Sequence, residues 1–123
     1  MKTILVIEDN LEIRENVSEL LELKGYNVVV ANNGREGLEA AIKYQPDLIV
    51  CDILMPELNG HEVLITLKKC GETSAIPFIF LTASVEKREI KQGLELGAAA
   101  YIRKPFEDDE LMEEIDRCLK NNN

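Results

Sequence analysis

Tryptophan is absent from this chain, histidine occurs once, and cysteine three times among 123 residues. Each scarcity removes a class of function. Cys51, Cys70 and Cys118 are odd in number, scattered and without a CxxC pair, so neither a disulfide framework nor a thiolate metal site is expected. They read as reduced thiols, with Cys51 and Cys118 at apolar positions of expected elements. With His61 alone, the chain has no histidine-based triad and little to offer zinc. There is no GxxxxGK[ST], no G-x-S-x-G and no G-x-G-x-x-G. No apolar run approaches the roughly 20 residues of a membrane-crossing helix. Basic residues are outnumbered 14 to 23, and the net charge of −9 repels nucleic acid and anionic membrane. Met1-Lys2 runs straight into the first apolar stretch, so no signal peptide and a cytoplasmic location are expected.

The length suits one domain, and 46% apolar residues is ordinary for a packed core. Short apolar runs alternate with amphipathic stretches. Ile4 to Ile7 is the first run. Ile13, Val17, Leu20 and Leu21 follow helical spacing after it, with Asn10 as cap and Gly25 as stop. Val28 to Ala31 is the second strand, and Asn32-Asn33-Gly34 reads as a turn. A helix with Leu38, Ala41 and Ile42 inward ends at Gln45-Pro46. Leu48 to Asp52 is apolar until its last residue, as in a strand covered on both faces. A third helix spans about His61 to Cys70, with Leu64 and Leu67 inward and His61 expected to be exposed and non-catalytic. Phe78 to Leu81 is the fourth strand. The fourth helix, about Val85 to Leu96, is poor in apolar residues and carries Gly93, which costs about 1 kcal/mol against alanine. Ala99 to Arg103 is the fifth strand. The last helix starts near Glu107 with a heavily acidic first turn and presents Leu111, Ile115, Cys118 and Leu119 on one face. The order βαβαβαβαβα implies an α/β protein in three layers, with helices on both faces of a parallel sheet.

Polar residues close four of the apolar runs: Glu8-Asp9, Asp52, Thr82 and Lys104. In a parallel sheet they gather at its carboxyl edge, where open α/β sheets place their sites. One Asp or Thr after a strand is ordinarily a helix cap or turn former. The joint placement at four strand ends is what points to a site. Three carboxylates held together repel unless a cation joins them. Mg²⁺ is the natural one, being content with one or two carboxylates plus water and phosphate oxygens; Mn²⁺ is a possible substitute. Calcium would want a denser set of oxygen ligands. Lys104 and Thr82 suit the oxygens of a phosphoryl group, and a carboxylate can be phosphorylated. Asp52, alone at its strand end, is the natural nucleophile.

The strings Ile4-Leu5-Val6-Ile7-Glu8-Asp9-Asn10, Pro46-Asp47-Leu48-Ile49-Val50-Cys51-Asp52, Met55-Pro56, Asn59-Gly60, Leu81-Thr82-Ala83, Gly97-Ala98 and Lys104-Pro105-Phe106 together resemble the receiver domain of bacterial two-component response regulators. The resemblance covers the whole chain, as a receiver over residues 1–120 with a short polar tail at 121–123. It implies a flavodoxin-like (βα)5 fold, a five-stranded parallel sheet in the order 2-1-3-4-5, and a cis Lys104-Pro105 bond. It implies that Asp52 accepts a phosphoryl group from the phosphohistidine of a histidine kinase or phosphotransfer protein. Glu8, Asp9, Asp52 and the backbone carbonyl of Leu54 would hold Mg²⁺. Thr82 and Lys104 would bind phosphoryl oxygens, small Ala83 would leave them room, and Thr82 and Tyr101 would form the switch. The output would be altered binding of a downstream protein through the fourth helix, fifth strand and fifth helix.

Leu54 and Ser84 stand where the family varies and tunes phosphoryl lifetime. Ala99-Ala100 stands where receivers of DNA-binding regulators that dimerise through this face often carry acidic residues, which speaks against that dimer; a monomer or weak phosphorylation-dependent dimer is expected, with no direct nucleic-acid or membrane contact. Chemistry is limited to autocatalytic phosphoryl acceptance and slow autodephosphorylation. Two further readings stand beside this one. The chain could be the receiver portion of a longer regulator or hybrid kinase. It could be a Mg²⁺-dependent phosphatase with an aspartyl nucleophile, against which Leu54 stands where that family usually has a second Asp.

Overall fold

A computed structural model describes residues 1–83 and 86–121. Ser84, Val85 and the last two residues of the expected tail lie outside the described residues. The elements are β1 (Thr3–Ile7), α1 (Leu11–Leu23), β2 (Asn27–Ala31), α2 (Gly34–Tyr44), β3 (Leu48–Cys51), α3 (Gly60–Lys69), β4 (Phe78–Thr82), α4 (Lys87–Glu95), β5 (Ala100–Arg103) and α5 (Asp108–Asn121). The strands form one parallel sheet in the order β2-β1-β3-β4-β5. This is the doubly wound α/β fold expected, in the expected order.

The strands alternate between two cores. Ile4 and Val6, Leu48 and Val50, Ile79 and Leu81, and Ala100 and Ile102 meet Val17 and Leu21 of α1 and Leu111, Ile115, Cys118 and Leu119 of α5. Leu5 and Ile7, Ile49 and Cys51, and Phe78 and Phe80 face the other side, against Ala41 of α2 and Val63, Leu64 and Leu67 of α3. Both faces are covered, which is why these strands read as continuous apolar runs. Each fully buried Leu, Ile or Phe is worth roughly 1.5–3 kcal/mol against exposure; β3 and β4 are buried along their whole length, and β1 from Ile4 onward.

Helix starts follow local chemistry. Asn10, Asn33 and Asn59 each accept a hydrogen bond from the backbone N–H three residues on, and Asn59 with Glu62 completes a reciprocal capping box. The Asn33 cap corrects one expectation: Gly34 opens α2 instead of closing a turn. Two others are corrected by burial. Ile42 is 49% exposed, because the α2 stripe facing the sheet runs through Gly37, Leu38, Ala40 and Ala41 and leaves it at the margin. His61 is 8% exposed instead of lying on the surface. α3 starts one residue earlier than expected, and its first turn is pressed against the sheet, with His61 edge-on to Phe80 at 5.1 Å between ring centroids. Gly93 makes that packing possible: a Cβ there would stand 2.9 Å from the Phe80 ring and 3.5 Å from His61 Nε2.

Candidate functional site

The carboxyl edge of the sheet brings Glu8, Asp9, Asp52, Thr82 and Lys104 together. β1 runs into Glu8, whose N–H donates to the Ala31 carbonyl of β2 at 3.1 Å, while the Asp52 N–H donates to the Ile7 carbonyl at 3.0 Å. Adjacent strands therefore end level, and their acids converge. Carboxylate oxygens of Glu8, Asp9 and Asp52 lie within 4.8 Å of one another. Glu8 is 1% exposed and Asp52 8%, whereas Asp9 faces solvent.

Lys104 bridges the two buried acids. Its Nζ donates to Glu8 Oε1 at 2.7 Å and lies 3.4 Å from Asp52 Oδ2. The Lys104 N–H donates to the Thr82 carbonyl at 2.7 Å, which fixes the lysine at the end of β5 beside the last residue of β4. The Lys104-Pro105 peptide is cis. Asp52 Oδ1 accepts the Ile53 N–H at 2.8 Å, leaving Oδ2 on the Lys104 side. Burial, with the Asp52 charge adding to it, pushes Glu8 up to about 7, although Lys104 opposes the shift. Burial also drives the Cys51 thiol well above its usual range, so it stays a protonated core residue beside the site.

A crowded, mostly buried acid triad with one lysine for three carboxylates fits a hard divalent cation, which would offset both the burial and the Asp52 charge that raise Glu8. Leu54, in the loop after Asp52, is 62% exposed and apolar. Thr82 is fully buried. Two residues before it, Phe80 pairs in register with Tyr101 of β5, their rings 5.9 Å apart and tilted by 56°. Thr82, Phe80 and Tyr101 thus share one face of the sheet, and Tyr101 is half-buried there. Beside Lys104, an apolar cleft of about 440 Å³ is lined by Ile13, Asn16 and Val17 of α1 with Ala83, Pro105 and Phe106.

Two supporting groups escaped sequence reasoning. Arg14 Nη1 donates to the Glu8 carbonyl at 2.9 Å. Gly60 lies so close to the Asp52 backbone that a Cβ would overlap the Asp52 carbonyl oxygen. A glycine after Asn59 carries a weak signal of close approach; an arginine six residues beyond an acid carries none.

Comparison with known proteins agrees with this geometry. The response regulator receiver domain family matches residues 4–116. The chain is 41% identical over 120 residues to a transcriptional regulatory protein CpxR homolog of Haemophilus influenzae, covering 98% of this chain and 51% of that protein. It is 39% identical over 116 residues to a probable transcriptional regulator, ycf29, of Pyropia yezoensis, covering 94% and 52%. The chain therefore spans about half the length of these curated relatives. Among solved structures, the receiver domain of the Francisella response regulator 1452 superposes with a TM-score of 0.92 at 30% identity, covering all of both chains. The Vibrio cholerae chemotaxis protein CheY4 gives 0.91 at 30% identity, covering 96% of this chain and 98% of its own.

Proposed function

Since the chain belongs to the response regulator receiver family of two-component signalling, we propose that it is a phosphorylation-activated switch with Asp52 as acceptor. Receivers are signalling proteins and not classical enzymes, and a receiver implies a histidine kinase as its partner. The observation that carries the assignment is Lys104 Nζ poised between Glu8 Oε1 and Asp52 Oδ2 inside the acid triad.

In the proposed reaction Asp52 Oδ2 attacks the phosphorus of the donor's phosphohistidine. The new O–P bond forms as the N–P bond breaks, and the imidazole takes the bonding pair. The Ile53 N–H holds Oδ1 and so presents Oδ2. Lys104 follows the charge from the free carboxylate to the phosphoryl oxygens, and Thr82 donates to another of them. Glu8, Asp9, Asp52 and the Leu54 carbonyl would hold Mg²⁺, or Mn²⁺ in its place, which supplies neutralisation of the charge crowding the acceptor. The apolar cleft beside Lys104 supports docking of the histidine-bearing partner there. Thr82 moves toward the phosphoryl group, Tyr101 turns inward behind it, and the α4-β5-α5 face changes its affinity for a downstream protein.

We assign residues 1–120 to this receiver unit and residues 121–123 to a polar tail. We place the protein in the cytoplasm as a monomer or weak phosphorylation-dependent dimer; among the described residues no helix is long and apolar enough to cross a membrane. A second reading, the receiver portion of a longer regulator, is favoured by the twofold length of the transcriptional regulators it matches. In that case the downstream partner would be a domain on the same chain.

The test is phosphotransfer from histidine kinases of the host to wild type and Asp52→Asn. Acid-stable, base-labile labelling of wild type is lost in the variant if Asp52 is the acceptor; full-rate labelling of Asp52→Asn refutes it. For the switch, Tyr101→Ala is expected to be phosphorylated normally yet to bind its target differently, and wild-type target affinity would remove Tyr101 from the mechanism.

A further inference from the structure

The turn carrying Glu8 and Asp9 is tied down by its neighbours. The Asn10 side chain accepts the Ile13 N–H at 3.0 Å, and the Asn10 N–H donates to Glu8 Oε2 at 3.2 Å. The third tie comes from one turn into α1, where Arg14 Nη1 donates to the Glu8 carbonyl at 2.9 Å. That carbonyl belongs to the planar peptide joining Glu8 to Asp9, so whatever fixes the oxygen fixes the direction in which the chain enters Asp9. The Asp9 side chain needs such help. It is exposed, and among the described residues its carboxylate has no hydrogen bond or ion pair. Glu8 and Asp52, by contrast, are held by Lys104 and the Ile53 amide.

A guanidinium beside a cation-binding cluster works against the cation by simple repulsion. Its usefulness there must be geometric. We propose that Arg14 is a positioning residue for the cation site: by clamping the Glu8 carbonyl it aims Asp9 at the point shared with Glu8 and Asp52, and thereby sets the affinity of the site for a divalent metal. The proposal rests on the reading of this triad as a cation site.

The experiment measures Mn²⁺ binding by electron paramagnetic resonance in wild type, Arg14→Met and Arg14→Lys, with amide hydrogen exchange of Asn10 in the metal-free proteins as a second readout. Outer partners of metal ligands typically contribute about 10–100-fold to affinity. Arg14→Met is expected to weaken Mn²⁺ about tenfold and to speed Asn10 exchange. Arg14→Lys, which keeps the charge and a donor, should recover most of this, leaving about a threefold loss. Unchanged affinity in folded Arg14→Met overturns the proposal. So does tighter binding, which is what loss of a positive charge alone would give. If Arg14→Met does not fold, Arg14→Lys decides: a loss of affinity with faster Asn10 exchange supports the clamp, and wild-type values for both overturn it. A wild-type protein that binds no Mn²⁺ would instead overturn the cation-site reading, and the role of Arg14 with it.

Discussion

Gly60→Ala is the perturbation that most directly couples packing to the proposed acceptor. The glycine N–H donates to the Ile53 carbonyl at 2.8 Å, locking the start of α3 against the loop after β3. A Cβ at this position would overlap the Asp52 carbonyl oxygen, and would stand 2.9 Å from Ile53 Cα and 3.0 Å from Phe80 Cε1. Carbon atoms settle at about 3.5–4.0 Å, so one wall must retreat by roughly 0.6 Å or more. Two of the three neighbours are backbone, and the third is a ring wedged between Phe78 and His61. Overpacking of this kind costs about 1–3 kcal/mol. For a domain of this size that corresponds to a fall in Tm of roughly 4–12 °C. The retreat also moves Asp52, and misplacement of reacting groups by about 1 Å can cost on the order of 100-fold, so we expect phosphoryl acceptance to slow by about tenfold. Thermal and urea unfolding followed by far-ultraviolet circular dichroism give the first quantity, and a phosphotransfer time course at saturating Mg²⁺ the second. Gly71→Ala is the matched control. It has open space within 4 Å and no left-handed φ, so it should be neutral or up to about 1 kcal/mol stabilising. A Gly60→Ala protein as stable and as fast as Gly71→Ala would refute the reasoning.

Two further outcomes follow from the charges. Glu8 is raised from 4.5 to about 7 by burial. A carboxyl raised on folding stabilises fully below its unfolded value and loses that contribution as pH climbs through the folded one. Metal-free protein should therefore lose on the order of 2–3 kcal/mol between pH 4.5 and 7.5 from this group, seen as the difference between wild type and Glu8→Gln in urea titrations with a chelator; identical pH profiles would contradict it. Lys104→Met leaves Glu8 and Asp52 buried without their shared cation, and should cost about 3 kcal/mol at pH 8 without metal. The loss should shrink at pH 5, where Glu8 is protonated, and a loss independent of pH would show that the bridge contributes no charge compensation.

The five-strand, five-helix order was legible because each element carries its own periodicity. Strands covered on both faces read as unbroken apolar runs, and α1 and α5 as clean helical stripes. The acid triad, Thr82 and Lys104 were legible because a parallel sheet must align its strand ends, so residues closing different runs meet at one edge. His61 was misjudged for the complementary reason. A polar residue at a helix start looks exposed until the neighbouring helix is in place, and Gly93 of α4 is what lets that helix close over it. Ile42 failed in the opposite direction, since an apolar residue at the margin of a helical stripe need not reach the sheet.

The sequence by itself determined the class of fold, the sheet edge at which the chemistry lies, and the residue types gathered there, because hydrophobic period and strand-end position are local properties of the chain. Only the tertiary structure decided the finer contacts. It set Lys104 between Glu8 and Asp52, turned Arg14 back onto the Glu8 carbonyl, pressed Gly60 against Asp52 and aligned Phe80 with Tyr101. These depend on which side chains from distant segments arrive at the same place, and burial then changes what they do. The same glutamate that would ionise near 4.5 in water is held up to about 7 by the core beneath it.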